Sequence, residues 1–255
     1  YYTAITPMGQ VPNGAITSGG RTPEENWAVR RWISDSTSIV RISGQVWDRS
    51  TGSGDGVEAR IIVGALTVYQ HIVNEGETTP FNFSFEACIG DGTAIDFAIA
   101  PRANDFADDT GFTATITSVL QSGPTDVRTC SGGSATFSVV VNGVGPFFYQ
   151  WRRNGVLLPT GRSATLTLND VGPADVGEYD CLISNDCGVM SGGSASLTLC
   201  RADFNCDQFA NSQDFFDFLT AFFAQAPSAD FNDDDFVNSQ DFFDFITAFF
   251  AGCPA

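Results

Sequence analysis

The run Asp175-Val176-Gly177-Glu178-Tyr179-Asp180-Cys181 decides how the middle of this chain is read. Tyr179 and Cys181 fall on one face of an extended strand, and Glu178 and Asp180 on the other. Upstream, Ala164, Leu166 and Leu168 alternate in the same way. Before them, Tyr149-Gln150-Trp151-Arg152-Arg153-Asn154-Gly155 reads as a strand entering a hairpin. Phe137, Val139 and Val141 make an earlier strand that ends in a Gly145-Pro146 turn. Short alternating strands punctuated by Gly, Pro and Asn predict a small all-β sandwich over residues 122–199.

These residues resemble an immunoglobulin-like domain of the bacterial type. The resemblance implies a buried Trp151 and a tyrosine corner formed by Tyr179, two residues before Cys181. The position facing Cys181 is Val139, so the usual inter-sheet disulfide is not available. Bacterial relatives often tie a Cys at the domain start to one in a turn of the kind Ser184-Asn185-Asp186-Cys187-Gly188. That implies Cys130–Cys187 with Cys181 as a buried thiol, the alternative being Cys130–Cys181.

Charge is concentrated at the other end. The chain has 255 residues, a net charge of −18, twelve Arg and no Lys. With no basic footprint to neutralise phosphates, nucleic acids and anionic membranes are not expected partners. Residues 201–255 carry ten Asp, one Arg and 14 of the 23 Phe. This segment is an internal repeat: Asp203–Phe223 recurs as Asp230–Phe250, 27 residues later, almost unchanged. Each copy places oxygen side chains at loop positions 1, 3, 5, 9 and 12: Asp203, Asn205, Asp207, Asn211 and Asp214, then Asp230, Asn232, Asp234, Asn238 and Asp241. Such spacing suits a hard cation, with the carbonyls of Phe209 and Phe236 at position 7.

The repeat resembles dockerin modules, whose paired EF-hand-type calcium loops each lead into one helix, and in particular the dockerin-like C-terminal repeats of exported planctomycete proteins. The resemblance implies two calcium ions. It also implies partner contacts through positions 10 and 11, here Ser212, Gln213, Ser239 and Gln240. Position 6, Gly in the family, is Gln208 and Asp235 here. A Cβ at a left-handed turn costs about 1 kcal/mol, less for Asp than for Gln, so the second loop is expected to bind more tightly. Because termini of such modules lie close together, Cys253 is expected to clasp Cys200 or Cys206. In the helices, Phe215, Phe218, Leu219 and Phe222 form a core stripe that Phe216 and Phe223 widen.

Residues 1–120 are β-rich, with runs at 38–47, 57–63, 81–85 and 95–99 between Gly-rich turns, and suit a jelly-roll sandwich. Trp27-Ala28-Val29-Arg30-Arg31-Trp32, Gly54-Asp55-Gly56-Val57 and Asp96-Phe97-Ala98-Ile99-Ala100-Pro101 resemble carbohydrate-binding-like modules of exported planctomycete proteins. Trp27, Trp32 and Trp47 are candidates for sugar stacking, although Trp in a sandwich is more often core. Asp105, Asp108 and Asp109 are candidates for a third calcium. Seven Cys with no long apolar run point to an oxidising, extracellular location without a membrane span, and the odd count leaves one thiol over. Cys88 has no evident local partner. The start, Tyr1-Tyr2-Thr3, lacks the regions of an export leader, so the chain reads as mature or as part of a longer one. His71 has no evident catalytic partner, and neither a nucleophile motif nor a phosphate loop is present.

The sequence therefore predicts a mainly β chain of three parts: a jelly-roll sandwich over 1–120, an immunoglobulin-like domain over 122–199 and a dockerin-like calcium module over 201–255. The expected role is non-enzymatic: an extracellular calcium-binding structural or adhesive protein associating with a protein partner. The alternatives are a filament subunit whose N-terminal segment adds a strand to a neighbour, and a glycan-binding protein.

Overall fold

A computed structural model describes residues 3–5, 28–49, 55–102 and 109–253. Trp27, Gly54, Asp105 and Asp108 lie outside the described residues. The chain is mainly β and divides into two compact units. The first comprises residues 1–121 with the segments 141–146 and 184–190; the second comprises 122–140, 147–183 and 191–255. One division falls between residues 121 and 122. The 122–199 and 201–255 segments fall largely together in the second unit.

Among the described residues, the first unit is a two-sheet sandwich of eight strands. One sheet orders β1 (Thr3–Ile5), β8 (Thr110–Ser118), β3 (Ser38–Asp48) and β6 (Phe81–Ile89). The other orders β2 (Ala28–Ile33), β7 (Ala94–Pro101), β4 (Val57–Val63) and β5 (Leu66–Val73). The strand pairings in both sheets are antiparallel. Val40, Ile42 and Val46 from β3 meet Ala59 and Ile61 from β4 and Ile95, Phe97 and Ile99 from β7 in one core. Alternation along each strand puts these residues on the inner face. Two of the sequence stretches singled out above are neighbours: β2 pairs with β7, Arg31 stands opposite Asp96, and the pair closes a bidentate ion pair at 2.7 and 2.8 Å. Strand β1 is an edge strand along β8, with Thr3 opposite Ile116; the rest of the N-terminal segment, residues 1–2 and 6–27, lies outside the described residues.

The second unit holds a five-stranded sheet ordered β10 (Val127–Thr129), β17 (Gly188–Leu199), β16 (Gly177–Asn185), β13 (Phe148–Arg153) and β14 (Val156–Leu157). Strands β11 (Ala135–Ser138) and β15 (Thr165–Leu168) pair separately; β9 (Leu120–Ser122) and β12 (Val140–Val141) are short. Trp151 is fully buried and donates its indole N–H to the Ser163 carbonyl at 2.9 Å. Phe137 stacks on Tyr179 at 4.7 Å, and the Tyr179 hydroxyl donates to the Asp175 carbonyl at 2.7 Å, closing the tyrosine corner.

Cysteine pairing departs from expectation at Cys130 and Cys187. The disulfides are Cys88–Cys187, Cys130–Cys206 and Cys200–Cys253. Cys187 does not reach Cys130: its turn, 184–190, belongs to the first unit, where Cys88 lies. Cys130 instead meets the start of the C-terminal repeat. Cys181 is a buried free thiol whose pKa burial pushes up to about 11, which makes it unreactive. Alkylation followed by peptide mapping should therefore label one cysteine, Cys181, and only after unfolding; labelling of Cys88 or Cys187 in the native, unreduced protein would refute this pairing.

Candidate functional site

The two repeats fold as duplicated loop-helix units. Asn211 and Asn238 cap α1 (Ser212–Phe223) and α2 (Ser239–Ala251), each accepting a bond from the N–H two residues on. Asp214 and Asp241, three residues after the caps, are fully buried and bind back to the cap N–H. Each also reaches across its loop. One oxygen of Asp214 accepts from Phe204 and Asn205 at 2.8 and 3.1 Å, and one of Asp241 from Phe231 and Asn232 at 2.7 and 3.1 Å.

The remaining loop bonds recur copy for copy. Asp207 and Gln208 donate their N–H groups to the two oxygens of Asp203, as Asp234 and Asp235 do to Asp230. Asn205 accepts from the Asp207 N–H, and Asn232 from that of Asp234. Asp207 and Asp234 accept from the position-7 amides of Phe209 and Phe236. The carbonyls of those two Phe lie 3.4 and 3.3 Å from the side-chain amides of Asn211 and Asn238, which brings positions 7 and 9 together. Position 6 has positive φ, 76° at Gln208 and 70° at Asp235, a conformation that Gly adopts most readily. Position 4 is left-handed as well, at Cys206 and Asp233. Nothing in the spacing signalled that second turn.

The donor set suits a hard cation. Carboxylate oxygens of Asp203, Asp207 and Asp214 all lie within 4.8 Å of one another, and among the described residues this is the group that converges so closely. A carboxylate oxygen that accepts one N–H keeps a further lone pair, so the loop bonds and a metal do not compete for the same capacity. Asp230, Asp234 and Asp241 repeat the order without the same convergence. The first loop alone carries a covalent staple, Cys206–Cys130. Ser212, Gln213, Ser239 and Gln240 are exposed at the helix starts, where Gln213 and Gln240 donate to Asp217 and Asp244 at 2.8 and 2.9 Å. The third calcium candidate is described only at Asp109, an ion-pair partner of Arg49 at 3.9 Å.

Other candidates are packed apart. Trp32 on β2 and Trp47 on β3 belong to different sheets, and both are half-buried. His71 stacks on Phe81 at 3.9 Å beside Tyr69, whose hydroxyl burial pushes up to a pKa of about 12. No helix among the described residues is long and apolar enough to cross a membrane.

Residues 118–199 match the immunoglobulin I-set domain family, and the chain contains an immunoglobulin-like domain there. Similar solved structures include the titin M3 domain, 23% identical, covering 31% of this chain and 93% of that one with a TM-score of 0.28. In the titin M10–obscurin-like 1 immunoglobulin complex the match is 27% identical, over 32% and 92%, at 0.30. The twitchin kinase region from C. elegans is 24% identical over 31% of this chain and 16% of that chain, at 0.29.

Burial pushes the Asp241 carboxyl up, and the N–H groups of Asn238, Asn232 and Phe231 more than offset it, holding the carboxyl below its usual range. A depressed folded value means stability present above the unfolded carboxylate pKa, about 4, and lost as pH falls through the lower folded value. In metal-free buffer the C-terminal transition should therefore weaken below about pH 4. Asp241→Asn should lower its melting temperature at neutral pH and flatten that acid dependence; an unchanged acid limb in the variant would assign the effect elsewhere.

Proposed function

We propose that this is a non-enzymatic, extracellular structural or adhesive protein whose C-terminal paired-loop module binds two calcium ions and carries its association with a protein partner. The observation behind this reading is the duplicated oxygen set, each copy closed by the same bonds onto Asp214 or Asp241. Asp203, Asn205, Asp207, Asp214 and the Phe209 carbonyl would hold one ion, with Asn211 near it. Asp230, Asn232, Asp234, Asp241 and the Phe236 carbonyl would hold the other, with Asn238 near it. Calcium supplies charge neutralisation. Ten Asp against one Arg in residues 201–255 is a self-repelling composition, and two divalent ions remove four of its nine net negative charges. The sandwiches supply the interaction scaffold, since immunoglobulin-like domains serve structural and protein-binding roles. Three disulfides favour an oxidising location outside the cell.

An ion bound at a hundred times its Kd adds about 2.7 kcal/mol, so calcium should raise the C-terminal melting transition sharply over EDTA. Calorimetric titration should give two ions per chain. The first loop, with converged carboxylates and a disulfide staple, is expected to bind more tightly, the reverse of the sequence expectation. Asp207→Ala should then abolish the tight phase and Asp234→Ala the weak one. No calcium-dependent shift would sink the proposal.

A further inference from the structure

The two helices obey a local two-fold axis. Phe218 and Phe245 stack on each other at 4.0 Å and 7°. Around them, Phe215 meets Phe249 at 6.0 Å and Phe222 meets Phe242 at 5.9 Å, so the helices run antiparallel. Phe204 abuts Phe218 at 5.5 Å and 88°, and Phe231 abuts Phe245 at 5.5 Å and 88°. For antiparallel helices exchanged by a two-fold, the axis stands normal to the pair. Any residue on one side of the pair is therefore matched by its repeat mate on the same side.

At 100° per residue, Phe216 and Phe223 lie within about 20° of each other and about 120° round from the interhelix contact line. Asp214, which holds the loop, lies on the opposite side of that line. The loops consequently close one side of the helix pair, and Phe216, Phe223, Phe243 and Phe250 stand on the other, flanking the half-buried Leu219 and Ile246. Those four rings are 59%, 79%, 60% and 82% exposed. The remaining helical carboxylates, Asp217 and Asp244, fall on the loop side of each helix and bond to Gln213 and Gln240.

From this we infer that the Phe face docks on the same face of a second copy of the chain, forming a four-helix core. The inference rests on the proposed association through this module and names its partner. An isologous contact needs a self-complementary patch, and a two-fold patch of identical residues supplies one. At about 200 Å² per aromatic side chain, the four exposed rings leave on the order of 550 Å² uncovered, near the upper end of what a monomer tolerates. With the half-buried Leu219 and Ile246 the face reaches roughly 650 Å², just above the roughly 600 Å² per partner at the low end of specific interfaces. Charge favours this occupant over an anionic lipid surface: the face is uncharged, and in the paired arrangement both acidic loops point outward, away from the contact. Calcium, by neutralising those loops, strengthens the pairing.

Sedimentation velocity of the full chain across the micromolar range, in millimolar calcium and in EDTA, tests this. The expected result is a monomer–dimer equilibrium, tighter with calcium. The double variant Phe223→Ser/Phe250→Ser should weaken it at least a hundredfold while keeping the calcium-dependent melt, which shows that the module is folded. Phe148→Ser, at a ring 59% exposed on β13, should dimerise as the wild type does. A wild-type chain that stays monomeric but still shows the calcium shift overturns the pairing and leaves the calcium reading intact. Co-sedimentation of that monomer with phosphatidylcholine vesicles would assign the face to lipid, and its absence to a different protein; either overturns the proposal. Dimerisation that survives the double variant also overturns it, whereas dimerisation without a calcium shift would overturn only the calcium reading.

Discussion

Asp214 and Asp241 are carboxylates without exposed surface, and each accepts three backbone N–H groups, one from its helix cap and two from the start of its loop. A buried charge is tolerated only when so satisfied, and the loss of one donor would leave it costly. The loop cannot open without undoing the cap, and the helix cannot fray without freeing the carboxylate. That coupling fixes where Phe218 and Phe245 emerge, four residues further along each helix, and hence the stacked pair at the centre of the module. It also leaves Asp203 and Asp207 turned toward Asp214.

The loop geometry was legible because it resides in residue types at fixed short spacings. Oxygen donors at positions 1, 3, 5, 9 and 12, and the left-handed turn at position 6, are local properties of about a dozen residues. The sandwich strands were legible for a similar reason: alternation near Ser38, Val57, Phe81 and Ile95 reports a face buried against a core, and strands appear at each. Disulfide pairing was not local. Cys88 and Cys187 are 99 residues apart, and their meeting depends on the 184–190 turn being held with the first unit, which no motif announces. A familiar turn pattern around Cys187 pointed to Cys130 because pattern carries no information about which unit a turn joins.

Phenylalanine shows the same limit. Its helical spacing identified an apolar stripe, but which rings would be covered depended on the crossing of two helices and on where the loops packed. Phe218 and Phe245 are fully buried, whereas Phe216 and Phe243, two residues earlier in each helix, are mostly exposed. The difference follows from a rotation of about 200° between such positions, not from hydrophobicity. Arg201, the one cation of the segment, lies 4.1 Å over the Phe231 ring, where its charge meets the aromatic face and its bulk covers apolar surface.

The repeats differ where the two-fold matters least. Cys206 faces Asp233 at position 4 and Gln208 faces Asp235 at position 6, so the loop side is asymmetric. Through Cys130–Cys206 only the first loop is tied to the immunoglobulin-like strands, and through Cys200–Cys253 the segment's two ends are clasped. The helix side keeps its symmetry almost intact, with Phe216 and Phe223 reproduced by Phe243 and Phe250 and only Leu219 exchanged for Ile246 on the exposed face. Burial does not account for the likeness of the exposed rings, since among the described residues each makes a ring contact only with the phenylalanine just before it. A module anchored on one side by bonds specific to one copy, and left two-fold on the other, is built to hold its loops in place while presenting the same surface twice.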